Sequence, residues 1–200
     1  RLYRPLRMPR GVDDELATML ALPFLAVLRE GAETVLFLQA VAIQRGASAS
    51  WVGGCDGVSS VLGAERLGQT PRGTMPHALI IAFGQAKAAW AAFDEVLPHS
   101  VPRIALVDTY SDEKEETLKA AALLGPRLRG VRLDTPSSRR GNFPDLIREI
   151  RWELDVRGYQ HVQILVSGGI REEQIPALRE AGAAGFGVGT SIANARFVMI

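Results

Sequence analysis

The sequence predicts an α/β fold of parallel strands covered by helices. Three observations predict it. Apolar runs of four to six residues alternate with helical stretches from about residue 100 onward. Two of those runs end in aspartate, at Asp108 and Asp134. The last two run into glycine-rich turns, Ser167-Gly168-Gly169 and Gly187-Val188-Gly189-Thr190. An open doubly wound sheet and a partial or irregular β/α barrel both satisfy this pattern. Both place the working site at the C-terminal ends of the strands.

The elements follow in order. Residues 1–11 are basic and broken by Pro5 and Pro9, and read as an extended lead-in. Residues 12–29 suit a helix, with Asp13, Asp14 and Glu15 at its positive end and Pro23 as a kink. Residues 34–39 (TVLFLQ) read as a strand. Residues 53–57 form a glycine-rich loop, and residues 58–67 a short helix ended by Gly68. Residues 77–93 read as one alanine-rich helix. A strand over 103–108 precedes a helix over 111–124 that Ser111 caps. A strand over 130–134 leads to an amphipathic helix over 143–157. A strand over 161–166, a helix over 172–180 and a strand over 185–189 complete the pattern. The boundaries suggest a separate N-terminal segment, 1–50, and an α/β domain, 51–200. Four such strands are too few to close an eight-stranded barrel.

Composition narrows the function. The 200 residues carry 23 Lys and Arg against 22 Asp and Glu, a net charge of +1. No strong field favours nucleic acid or an anionic membrane surface. No uninterrupted apolar run reaches the length of a membrane span. A single cysteine, Cys55, excludes an internal disulfide framework and a cysteine-rich zinc site. A reduced, cytoplasmic protein is expected. No GxxxxGK[ST] loop is present, and the lysines are only Lys87, Lys114 and Lys119, so a P-loop nucleotidase is excluded. His99 and His161 have no supporting context, and three dispersed histidines give no zinc spacing.

Chemistry concentrates at the strand ends. Glycines there let a backbone approach an anion closely, and successive N–H groups can hold phosphate. The same glycines also serve plain βα turns. Asp108 and Asp134 suit Mg²⁺ or sugar hydroxyls, or simply turns and caps. Arg132 lies two residues before Asp134 and so shares its face of the strand. An inward Arg needs a counter-charge, which a phosphate or Asp134 would supply.

The ordered segments GGCDGVSSVLGAERLG (53–68), RGTMPHALI (72–80), ALVDTYSDE (105–113), GVRLDT (130–135), LVSGGI (165–170) and GFGVGT (185–190) resemble the nicotinate phosphoribosyltransferase family. The resemblance covers roughly residues 51–195 and is most like the shorter bacterial and archaeal branch. It implies a type II phosphoribosyltransferase fold. It implies transfer of phosphoribosyl from phosphoribosyl pyrophosphate to nicotinate, with Mg²⁺ on the diphosphate and ATP as co-substrate. By the same match His77 is the histidine phosphorylated by ATP, with Asp108 as a candidate to orient it and Asp134 beside the reacting sugar. Arg132, Thr135 and Thr74 fall at substrate-contacting positions, and Asp56 in the loop approaching the base. Ser167, Gly168, Gly169, Gly187, Gly189 and Thr190 fall around the 5′-phosphate. The resemblance further implies a homodimer or larger homo-oligomer whose sites borrow residues from a second subunit. One departure is plain: where the family carries an FGARR-type motif, this chain reads LFLQAVAI (36–43), with no arginine pair. A decarboxylating quinolinate enzyme and a non-catalytic phosphate-binding relic are the competing expectations.

Overall fold

The computed structural model describes residues 55–59 and 61–189. The readings for residues 12–29 and 34–39, and Thr190, lie outside the described residues. The elements are α1 (Val61–Arg66), α2 (His77–Phe83), α3 (Ala86–Val96), β1 (Arg103–Leu106), α4 (Glu113–Leu124), β2 (Leu128–Leu133), α5 (Phe143–Val156), β3 (Gln163–Val166), α6 (Ile175–Glu180) and β4 (Gly185–Phe186). Short 3-10 turns at Gly125–Arg127 and Glu172–Gln174 precede β2 and α6.

The four strands pair in sequence order, β1-β2-β3-β4, and every pairing is parallel. The alternation of apolar runs and helices therefore means what the sequence predicts. Strand interiors are buried through Ala105, Leu106, Val131, Leu133, Ile164 and Val166. Against them α5 sets Phe143, Ile147, Ile150 and Leu154, all on one helical face. The edge strand β1 is covered by α3: buried Trp90 donates its indole N–H to Leu106 C=O at 3.1 Å. At the other end of β1, buried Arg103 donates to Asp94 Oδ1 and to the carbonyls of Asp94, Leu97, Pro98 and Val101. Those are carbonyls that the end of α3 and its following turn leave without helical partners.

Several boundaries differ from the sequence expectation. The single helix expected over 77–93 is two. Gly84 stops α2 with φ +67°, its N–H donating to Ile81 C=O, and Gln85 starts α3. The cap of α4 is Asp112, not Ser111: its carboxylate accepts from the N–H groups of Lys114 and Glu115. The helix expected over 172–180 opens as a 3-10 turn, and Pro176 sits in the first turn of α6. β4 ends at Phe186, so Gly187 and Gly189 belong to a loop and not to a strand. β1 and β2 end at Leu106 and Leu133, so Asp108 and Asp134 lie just past the strand ends.

Candidate active site

The site is assembled by the loops that follow β1, β2 and β3 and by the first residue of α2. The apolar run of β2 brings Arg132 and Asp134 to one face, as their spacing requires. Arg132 Nη1 lies 3.0 Å from Asp134 Oδ2 and donates to Ser167 Oγ at 3.0 Å. Its Nη2 donates to Met75 C=O at 3.2 Å, which ties the segment before α2 to the sheet. The counter-charge for the inward arginine is thus Asp134 itself. Ser167 Oγ passes its own proton to Asp134 Oδ1 as a hydrogen bond. Arg132 Nε is buried without a partner among the described residues.

His77 completes the cluster. Its Nε2 lies 3.4 Å from Asp134 Oδ2 and 3.7 Å from Asp108 Oδ1, and its Nδ1 lies 3.1 Å from Thr109 Oγ1. The ring is 37% exposed, whereas the Asp108 side chain is only 2% exposed. Asp108 Oδ2 accepts from the Asp134 N–H at 2.7 Å and lies 3.1 Å from the Thr135 hydroxyl. Its Oδ1 is buried and makes no hydrogen bond among the described residues.

The charges tune one another. The Asp134 carboxylate raises the His77 pKa above its ordinary value, against burial and the Arg132 charge. Burial alone would raise Asp134, but His77, Ser167 and Arg132 together hold it down at about 2. Burial pushes Asp108 above the usual carboxylate range, with His77 and the Asp134 N–H pulling the other way. The result is an ionised carboxylate beside a more basic imidazole, with a second carboxyl buried behind both.

The glycine loops meet this cluster from the β3 and β4 ends. Gly168 has φ +82°, and a Cβ there would sit 2.5 Å from Asp134 C=O. Gly187 donates its N–H to Val166 C=O, and a Cβ on it would stand 2.9 Å from Ser167 Cβ. The N–H groups of Gly168 and Gly169 donate to nothing among the described residues. Gly189 is exposed. Of the other expected residues, Thr135 is buried between Asp108 and Glu113, and Thr74 is half-buried two residues before Pro76. Asp56 is exposed, in a loop tied down by the Arg72 N–H bond to Val58 C=O.

Two residues escaped the sequence reading. Buried Arg140 lies over the Phe143 ring and donates Nη1 to the carbonyls of Thr135, Ser167 and Gly168. Buried Glu116 accepts from the N–H groups of Thr109, Tyr110 and Ser111. A charged residue in a loop and one in a helix's first turn look like solvated surface in a sequence. Only the fold shows that both are enclosed.

The stretch of chain that carries this cluster is similar to known proteins. The family model for the C-terminal domain of quinolinate phosphoribosyl transferase matches residues 44–200. The chain belongs to this family. A nicotinate phosphoribosyltransferase of Mycobacterium tuberculosis is 35% identical over 156 residues, 75% of this chain and 32% of that protein. A Bacillus subtilis protein of the same name is 28% identical over 154 residues, 75% of this chain and 30% of that protein. The crystal structure of nicotinate-nucleotide pyrophosphorylase from Pyrococcus furiosus superposes with a TM-score of 0.71 at 56% identity, over 76% of this chain and 40% of that one. The chain thus spans about a third of the length of the curated relatives it matches. These relatives bear out the resemblance to nicotinate phosphoribosyltransferases and the type II fold read from the six segments. A second model, the iron permease FTR1 family, matches residues 13–64 and overlaps the first match over residues 44–64. Among the described residues no helix is long and apolar enough to cross a membrane.

Proposed function

We propose that this chain carries the phosphoribosyl-transfer site of a nicotinate phosphoribosyltransferase, joining nicotinate to phosphoribosyl pyrophosphate with release of diphosphate. One observation carries the reading: His77, Asp108, Asp134, Arg132 and Ser167 converge at the strand ends beside two glycine loops. The free N–H groups of Gly168 and Gly169 suit the 5′-phosphate. As diphosphate leaves, positive charge grows at the ribose C1, and the ionised Asp134 stands ready to stabilise it. The nicotinate nitrogen supplies the electron pair for the new bond to C1, and the C1–O bond electrons depart with the diphosphate.

His77 accepts the terminal phosphoryl group of ATP in this proposal. A ring nitrogen forms the N–P bond as ADP leaves, and water later cleaves that bond. The carboxylates beside Nε2 hold the ring and offset the charge it gains. Among the described residues no three His, Cys, Asp or Glu side chains are grouped to hold a metal ion. In this proposal Mg²⁺ enters bound to the diphosphate of the substrate. In this proposal the chain works as a homodimer or larger homo-oligomer.

A second reading has a specific support. The matching family model is named for quinolinate, so decarboxylative transfer from quinolinate is the alternative. The test offers purified chain nicotinate or quinolinate with phosphoribosyl pyrophosphate and Mg²⁺, with and without ATP. Nicotinate mononucleotide from nicotinate, with ATP stimulation lost in His77→Ala, is the expected result. Product only from quinolinate, with release of carbon dioxide, establishes the alternative. Binding of phosphoribosyl pyrophosphate without turnover marks a non-catalytic lobe.

A further inference from the structure

The first turn of α4 does more than begin a helix. Its Glu116 side chain is 1% exposed and points back under the loop that leaves β1. Oε2 accepts from the Thr109 N–H at 3.3 Å, and Oε1 accepts from Tyr110 and Ser111 at 2.9 and 3.0 Å. Three successive N–H groups of an irregular loop are thereby satisfied by one buried side chain, in a place where no strand or helix can serve them. The middle of that relay is Thr109, whose hydroxyl lies 3.1 Å from His77 Nδ1. With Nε2 turned toward the carboxylates of Asp134 and Asp108, the neutral ring keeps its proton on Nε2 when the Thr109 hydroxyl donates to Nδ1.

We infer that Glu116 is a positioning residue: it fixes the 109–111 loop so that the Thr109 hydroxyl sets the tautomer and orientation of His77. Glu116 hydrogen-bonds to the N–H groups of Thr109, Tyr110 and Ser111 and not to His77, and acts through Thr109. The inference deepens the reading of the site given above. It is tested on the state of the His77 ring and not on turnover, so it stands or falls separately from the reaction.

Glu116→Gln separates its two halves. The amide oxygen can still accept from Tyr110 and Ser111, but the amide NH₂ then faces the Thr109 N–H, donor against donor. Imidazole ¹⁵N shifts of His77 in the full chain, above its titration, report the tautomer ratio. Thr109→Val, which removes the hydroxyl alone, is the reference. The expected result is a shift of the ratio away from Nε2–H by about fivefold in both variants, the factor one neutral hydrogen bond supplies. Wild-type ¹⁵N shifts in Glu116→Gln, or in Thr109→Val, overturn the inference. A second measurement needs no variant, in case Glu116→Gln does not fold. The amides of Thr109, Tyr110 and Ser111 should exchange with solvent at least tenfold more slowly than free peptide. Free-peptide rates at all three also overturn it.

Discussion

His77 stands between groups that want its proton in opposite ways. Asp134 and Asp108 favour the charged ring, while burial and Arg132 oppose it, and the carboxylates win. Because the folded-state pKa is raised, the stabilisation that protonated His77 contributes is complete below about 6.5. It is lost as pH rises through the folded value. Asp134 runs the other way: its carboxylate stabilises the fold above about 3.8 and ceases to do so as pH falls toward about 2. That shift corresponds to roughly 2 kcal/mol. Asp134→Asn should therefore cost stability at neutral pH and progressively less as acid is added, as urea unfolding at a series of pH values will show. The same variant should lower the His77 pKa in an NMR titration. A His77 pKa unchanged by Asp134→Asn would remove Asp134 as the chief cause of the shift. The convergence of Arg132 with Asp134 was legible at this scale, since two residues apart on a strand share a face. Arg140 was not, because the Ser167 and Gly168 carbonyls it reaches are distant in sequence, and Glu116 was not, because a carboxylate in a helix's first turn reads as solvated surface.

Among the elements, the turns after β2 and β3 are the most tightly constrained. Gly168 combines a left-handed φ with a backbone oxygen where a Cβ would go, whereas Gly169 at φ +76° has open space around it. Gly169→Ala should thus cost about 1 kcal/mol, the strain of the backbone alone. Gly168→Ala should cost more than about 2 kcal/mol and displace the Asp134 loop, because Asp134 C=O must move. Thermal unfolding of the two variants compares them directly, and equal losses would show that the close approach carries no weight. The sequence marked both glycines as turn residues but had no means of ranking them. It placed the cap of α4 at Ser111, one residue before Asp112, because adjacent residues that both cap well are not ranked by residue type. The break at Gly84 escaped notice because the apolar run before it and the alanine-rich run after it both suit a helix, and a lone glycine is tolerated within one.

Over the whole molecule, the parallel sheet holds the end that carries His77 and its opposite end by different means. At the far end Arg103 gathers the carbonyls at the end of α3 and the Asp94 carboxylate, and Asp94 also meets Arg127. Arg103→Met should strip the Asp94 and Leu97 carbonyls of their donor and leave the Asp94 carboxylate with Arg127 as its ion-pair partner, costing roughly 2 kcal/mol in urea unfolding. A loss below about 1 kcal/mol would mean that water or a shifted α3 replaces the guanidinium. Four strands and two sheet edges, β1 and β4, are what the described residues supply. By itself the sequence determined the class of fold, the parallel order of its strands and the loops in which the chemistry gathers. Those depend on local patterns: the period of apolar residues, glycine in turns, and polar residues just past a strand. Only the tertiary structure decided that His77 lies between Asp108 and Asp134, that Arg132 also reaches Ser167 and the Met75 C=O, and that Glu116 and Arg140 are enclosed. Those are contacts between residues 26 to 57 positions apart for the first cluster alone. No local pattern encodes them, because distance along the chain says nothing of distance across a sheet.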